Sequence, residues 1–277
     1  MSAAAHSPAE PAVGAPGRWL TASAGFAGGA AVGLLGGLVG LGGAEFRLPL
    51  LLGVFGFAAL AAVIVNKAMS LVVVIAAIPA RLTAVPMANV IGEWDVVLNL
   101  LAGSLVGAWL GASWATRMKT ATLYRVLSML LVLIAAVFTA ERIGTLPALD
   151  LAQPVQLVAG VAAGFGIGVV AALMGVAGGE LLIPTLVLLF AVDVKLAGSL
   201  SLLVSLPTML VAFFRYSRDQ AFVVLASNKR FVAAMAAGSV TGSVAGGLSL
   251  GVVPELVLVP LLVALLLFSA LKVWRHA

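Results

Sequence analysis

Two glutamates carry the most chemical information in this 277-residue chain. Glu45 lies in GLGGAEFRLP, from Gly40 to Pro49, and Glu180 in GVAGGELLIP, from Gly175 to Pro184. Carboxylates in such apolar surroundings are rare and usually functional, and this pair is the candidate for carrying a proton. The structural alternative is a carboxylate that neutralises the positive end of a helix. The glycines before each glutamate free the backbone to leave a helix. A short helix starting there points unpaired N–H groups and its positive dipole end back at the break. Gly42, Gly43 and Ala44 in the first break, and Gly178 and Gly179 in the second, therefore read as an anion cradle made of backbone. Close helix packing is the alternative use of these glycines. Two cations, Arg47 and Lys67, sit near the first break and favour an anionic ligand; a snorkelling Lys67 and a Glu45–Arg47 pair are the structural alternatives. Asn66 and Ser70 lie one helical turn apart, as do Ser201 and Ser205, with Thr208 a turn further on. These stripes can donate hydrogen bonds to oxyanion oxygens or join helices.

The same inventory argues against catalysis. The two histidines, His6 and His276, stand at the chain ends, and there is no cysteine. Gly111-Ala-Ser113 imitates a nucleophile motif, but no histidine stands in an apolar segment to activate it. No residue is assigned as catalytic, no set of metal ligands is expected and no cofactor is implied.

Composition supplies the setting. Hydrophobic residues make up 63% and charged residues 9% of the chain. Soluble domains are near half apolar and a quarter charged, so lipid must be the outer solvent. The net charge of +5 is read as loop cations that set orientation, not as a nucleic-acid surface. Residues 1–17 read as a disordered tail without the pattern of a signal peptide. Long apolar segments then run roughly over 19–41, 59–81, 96–115, 122–141, 155–176, 195–214, 231–251 and 255–273, each near the length of a span. Two shorter segments, 44–57 and 179–192, follow the Gly-rich breaks. The expected fold is an all-α integral membrane protein of eight long helices plus two short helices after the breaks.

The segments also repeat. A constant shift of 135 residues carries Gly25, Gly29 and Gly33 onto Gly160, Gly164 and Gly168, and Glu45, Pro49 and Phe55 onto Glu180, Pro184 and Phe190. It carries Ser70 onto Ser205, and Gly103, Gly107 and Gly111 onto Gly238, Gly242 and Gly246. The latter two glycine rows read as packing seams. The domains expected are repeat 1 over 18–143 and repeat 2 over 144–277, five segments each. With a cytoplasmic N-terminus and an odd number of crossings per repeat, Arg18, Arg117, Lys119, Arg125, Arg215, Arg218, Lys229, Arg230, Lys272 and Arg275 fall inside. Arg81 and Arg142 fall outside, among Glu93, Asp95, Glu141, Asp150 and Glu255. This obeys the positive-inside rule, places both termini in the cytoplasm and makes the repeats inverted. Arg81 and Arg215 then read as interfacial anchors, and Trp94, Trp109, Trp114 and Trp274 as parts of the aromatic belts. Inverted repeats with interrupted segments at matching positions are the pattern of secondary transporters.

At these residues the sequence resembles the TauE/SafE sulfite exporter family, also called the 4-toluene sulfonate uptake permease family. The resemblance rests on the duplicated Gly-rich turn followed by proline, Gly40 to Pro49 and Gly175 to Pro184. It extends through the helices after each turn and the later Gly-rich helices, almost the whole chain beyond the tail. It implies a transporter of the bacterial inner membrane for small sulfur-containing or related organic anions such as sulfite or sulfonates, often moved outward and coupled to the proton gradient. Alternating access would come from one half rocking against the other. The partners expected are a small anion, protons and the lipid bilayer, with a homodimer left open and no nucleic acid. A passive anion channel or an accessory membrane subunit is the alternative.

Overall fold

A computed structural model describes residues 21–39, 42–84, 87–143, 149, 151–249 and 255–275. The expected tail, Arg18, Gly40 and both histidines lie outside these residues. Every element among the described residues is helical. The first half holds α1 (Ala22–Val39), the short α2 (Ala44–Gly53), α3 (Ala59–Ala84), a one-turn α4 (Met87–Gly92), α5 (Trp94–Arg117) and α6 (Thr120–Ile143). The second holds α7 (Gln153–Met174), the short α8 (Gly179–Phe190), α9 (Val194–Tyr216), a 3-10 turn at Gln220–Phe222, α10 (Val223–Ser227), α11 (Lys229–Leu248) and α12 (Glu255–Trp274). The starts of α2 and α8, α3 and α9, α5 and α11, and α6 and α12 are each 135 residues apart.

Helices satisfy their own backbone polar groups, which lipid cannot do. Among the described residues, six are long and apolar enough to cross a membrane: those starting at Ala59, Trp94, Thr120, Gln153, Val194 and Lys229. Their outer faces carry Leu98, Val158, Phe214, Val244 and other large apolar side chains in exposed positions. Such a surface suits hydrocarbon, and the chain is a multi-pass membrane protein.

Two glycine seams organise the packing. Gly29, Gly33 and Gly37 of α1 press on the backbone of Met235, Ser239 and Ser243 of α11, while Gly238, Gly242 and Gly246 of α11 press on Phe26, Ala30 and Leu34 of α1. Gly103, Gly107 and Gly111 of α5 meet Val161, Phe165 and Val169 of α7, and Gly164 and Gly168 meet Leu100 and Ser104 in return. The glycine rows expected to pack helices do so, and α1 and α7 contribute matching rows. In both seams the contacts advance in the same direction along each chain, so α1 is parallel to α11 and α5 to α7. A third parallel pair follows from side chains: the Ser104 and Thr208 hydroxyls share a 2.8 Å hydrogen bond, and Arg215 Nε donates to Ser113 Oγ at 2.8 Å. These align α5 with α9. The remaining core is built of larger side chains. Leu123, Leu127, Leu131 and Ile134 of α6 are buried with Leu262, Leu266 and Ala270 of α12.

The seams tolerate no Cβ, because backbone stands where it would go. Gly33→Ala and Gly242→Ala should each lower stability by about 1–3 kcal/mol through overpacking. Gly166, on α7, has open space where its Cβ would stand. Gly166→Ala should therefore be neutral or stabilising, up to about 1 kcal/mol from helix propensity. Thermal unfolding of the purified variants in detergent checks the contrast.

Candidate functional site

The breaks are formed by left-handed glycines. Gly42 and Gly43 have φ of 80° and 74°, and Gly175 and Gly178 have φ of 71° and 88°. A side chain at any of these positions would be strained. At Gly43 a Cβ would also overlap the carbonyl of Val32, and at Gly175 that of Val63. After the turns, α2 starts at Ala44 and α8 at Gly179, neither with a side-chain cap. Glu45 and Glu180 stand in the first turns of these helices, so the positive helix ends expected to cradle an anion carry the chain's own carboxyl groups. Pro49 and Pro184 have no N–H to give the carbonyls of Glu45 and Glu180, four residues back.

One face of α3 holds both breaks. Asn66 Nδ2 donates to the Ala44 carbonyl at 3.0 Å and to the Met174 carbonyl at 3.1 Å, joining the first break to the second. Lys67 Nζ donates to the carbonyls of Ala171 at 2.8 Å and Val176 at 2.6 Å. Ser70 Oγ donates to the Gly175 carbonyl at 3.2 Å. From α9, Tyr216 donates its hydroxyl to the Ala172 carbonyl at 3.0 Å. The turn after α7 returns the Val176 and Gly175 N–H groups to the Ala171 and Ala172 carbonyls, and Lys67 and Tyr216 add a second donor to each. Asn66 and Ser70 donate to the Met174 and Gly175 carbonyls, and the Lys67 charge complements the negative end of the dipole.

Arg47 points the other way. Its Nε donates to Asn66 Oδ1 at 2.8 Å, Nη1 to Ser239 Oγ at 3.0 Å and Nη2 to Ser70 Oγ at 2.9 Å. It attracts Glu45 electrostatically but does not hydrogen-bond to it. Lys67 likewise attracts Glu180. The Glu45 and Glu180 carboxyls lie against each other, close enough to hydrogen-bond. Yet among the described residues neither Glu45 oxygen nor Glu180 Oε2 has a donor. Two ionised carboxylates offer only acceptors, so this contact becomes a hydrogen bond only with a proton on one of them. Glu45, Arg47 and Lys67 are 0% exposed and Glu180 is 2% exposed. Lys67 is therefore a fully enclosed cation, not a snorkelling one.

The fold thus brings together Gly42, Gly43, Ala44, Glu45, Arg47, Asn66, Lys67, Ser70, Gly178, Gly179 and Glu180. Ser201 and Ser205 are buried on α9. Ser201 donates to the Gly198 carbonyl of its own helix at 2.9 Å. Ser239 is a polar partner that the polar stripes did not indicate. Its counterpart under the 135-residue shift is Ser104, and each follows a seam glycine, Gly238 and Gly103. That match was the available signal. Among the described residues no group of three or more metal-ligating side chains occurs.

Removing the Asn66 amide should loosen both breaks together. Asn66→Leu strips Arg47 Nε and the carbonyls of Ala44 and Met174 of a shared partner, and should cost about 3 kcal/mol or more. Ser239→Ala removes one acceptor from Arg47 and should cost about 1 kcal/mol. Melting of the two variants in detergent orders the effects.

The family described as Sulfite exporter TauE/SafE matches residues 2–139 and 160–277. No curated protein and no solved structure matches the chain. The family match spans both breaks, the α3 polar face and all four buried charges, and on that coverage the chain belongs to the sulfite exporter TauE/SafE family.

Proposed function

We propose that this protein is a secondary transporter that exports small sulfur-containing anions such as sulfite or sulfonates across a bacterial inner membrane. Family membership makes it an exporter-type membrane transporter. The anion, the alternating-access cycle and proton coupling through Glu45 and Glu180 are our reading. The observation that carries it is the meeting of two half-helix N-termini, two cations and two carboxyls, all buried, at the junction of the two breaks. Broken helices that meet inside a bilayer are how such carriers build a substrate site. In this reading Arg47 and Lys67 supply the charge that selects an anion. The backbone around Gly42, Gly43, Ala44, Gly178 and Gly179 supplies additional N–H groups, and Asn66, Ser70, Ser201 and Ser205 line the path.

An inverted pair of five-segment repeats, with eight full spans, fits the helix register. The connection from the end of α9 to the start of α11 contains one 3-10 turn and the five-residue α10, too little to recross a bilayer. So α11 runs opposite to α9. Since α1 is parallel to α11, and α7 is parallel to α5 and hence to α9, α1 and α7 run in opposite directions. With the termini in the cytoplasm, Lys195 at the start of α9 joins Arg81 and Arg142 outside, and the cation excess inside persists.

The absence of cysteine makes single-cysteine labelling free of background. Gly92→Cys and Ser217→Cys should react from opposite faces of the membrane; labelling from one face would break the inverted topology. In proteoliposomes, sulfite flux should saturate and show counterflow, which a channel or an accessory subunit would not do. Arg47→Ala and Lys67→Ala should each reduce that flux by about tenfold or more, as expected for loss of a charge-assisted contact to the anion. Normal flux in both variants would move the anion elsewhere.

A further inference from the structure

We infer that the Glu45–Glu180 pair holds one proton at a time and that this proton travels with one monovalent anion, so that a transport cycle moves no net charge. This rests on the transport reading above and adds its charge balance: outward flux then runs down the anion's own concentration gradient, with the membrane potential neither helping nor opposing it.

The buried cluster contains four charged side chains. Glu45 is acted on by Glu180 and Arg47, and Glu180 by Glu45 and Lys67. Among the described residues no other element adds a charge there. Helices α1 and α7 carry no charged residue, and the charges of α6, α9, α11 and α12 stand toward helix ends, such as Arg125, Lys195, Arg215, Lys229, Arg230 and Lys272. With both carboxylates ionised the cluster sums to zero. In that state, however, two like charges from different halves meet, and both Glu45 oxygens and Glu180 Oε2 lack donors among the described residues. One proton turns the contact into an O–H···O hydrogen bond across the halves and leaves the cluster at +1. A second proton would raise it to +2 with no further carboxylate left to bridge.

A lone positive charge buried from water is costly, and an incoming monoanion cancels it. Donors for that anion remain. Arg47 uses three of its five N–H groups and Lys67 two of its three among the described residues. Proton and anion therefore each strengthen the binding of the other, a reciprocity required by linkage. The empty cluster and the fully loaded cluster are both neutral; either half-loaded cluster carries a charge. A carrier that reorients only when the cluster is neutral couples one proton to one monoanion. Lys67 and Arg47 complete this count only because they lack partners in the repeat, where Leu202 and Leu182 stand.

The test uses wild-type protein in proteoliposomes with sulfite, whose bisulfite form is the monoanion, at near-neutral pH. A potassium diffusion potential is imposed with valinomycin. Wild-type accumulation should ignore the potential and follow a pH gradient. Glu45→Gln and Glu180→Gln fix one neutral side chain in the pair and leave the cluster at +1 without a proton. Only their anion-loaded cluster is neutral, so net accumulation should be lost under either gradient while anion-for-anion counterflow persists; pH-driven accumulation in either variant would overturn the placing of the proton on this pair. Wild-type accumulation that follows the potential would overturn the charge balance while leaving the transport reading in place. Absence of saturable sulfite flux would remove both. If the glutamine variants do not fold, the wild-type arm decides alone.

Discussion

A helix that ends inside a bilayer leaves carbonyls with no water to satisfy them, and that constraint organises this protein. Helix α7 ends at Met174, and the carbonyls of Ala171, Ala172, Met174, Gly175 and Val176 are met by Lys67, Tyr216, Asn66 and Ser70. Three of these four side chains come from one face of α3. That face thus closes the second break while Asn66 also holds the first through the Ala44 carbonyl. The polar residues in this apolar chain are the partners that an interrupted helix needs. The glycine turns are feasible only because those partners exist.

The arrangement is symmetric in backbone and asymmetric in charge. Helix starts keep a 135-residue interval and both breaks use left-handed glycines. Yet Arg47 and Lys67 have no counterparts. The second break is capped by a cation on α3; at the equivalent place on α9 stands Leu202, and Ser201 bonds to its own helix. Two similar breaks stand in the two halves, and the two unmatched cations make one cluster out of them.

The sequence made the interrupted helices legible because glycine, glutamate and proline recur there at a fixed interval and because lipid restricts the backbone to helices. The seam glycines were legible for the same reason, since four-residue spacing places them on one helix face. The contacts between halves were not. Arg47 and Ser239 are 192 residues apart, and the repeat relates Ser239 to Ser104, not to Arg47. Translation along a sequence identifies equivalent positions and is silent about which positions touch across the symmetry. The Glu45–Glu180 contact is the special case in which equivalent positions also touch, so the residues were identifiable and their adjacency was not. The carbonyl acceptors of Lys67 were invisible for a simpler reason: every residue has a carbonyl, and only the three-dimensional end of α7 turns these ones toward α3.

The seams also constrain motion. A carrier made of two sequence halves suggests that one half rocks against the other. Here α1 of the first half is joined to α11 of the second by backbone contact along its length, and α5 to α7 in the same way. Backbone-on-backbone packing leaves no side chain to yield, so each seam moves as a unit. Any alternation of access must therefore divide the molecule between groups drawn from both halves, with α1–α11 in one unit and α5–α7 in another. The polar cluster lies where such units meet: Ser239 of the first seam holds Arg47, and the last turn of α7 in the second holds Lys67. A change of charge at Glu45 and Glu180 would act at the contact between these units, and sliding of the units would alter the environment of both carboxyls. That reciprocal position is the physical basis on which a proton could bias the exposure of an anion site.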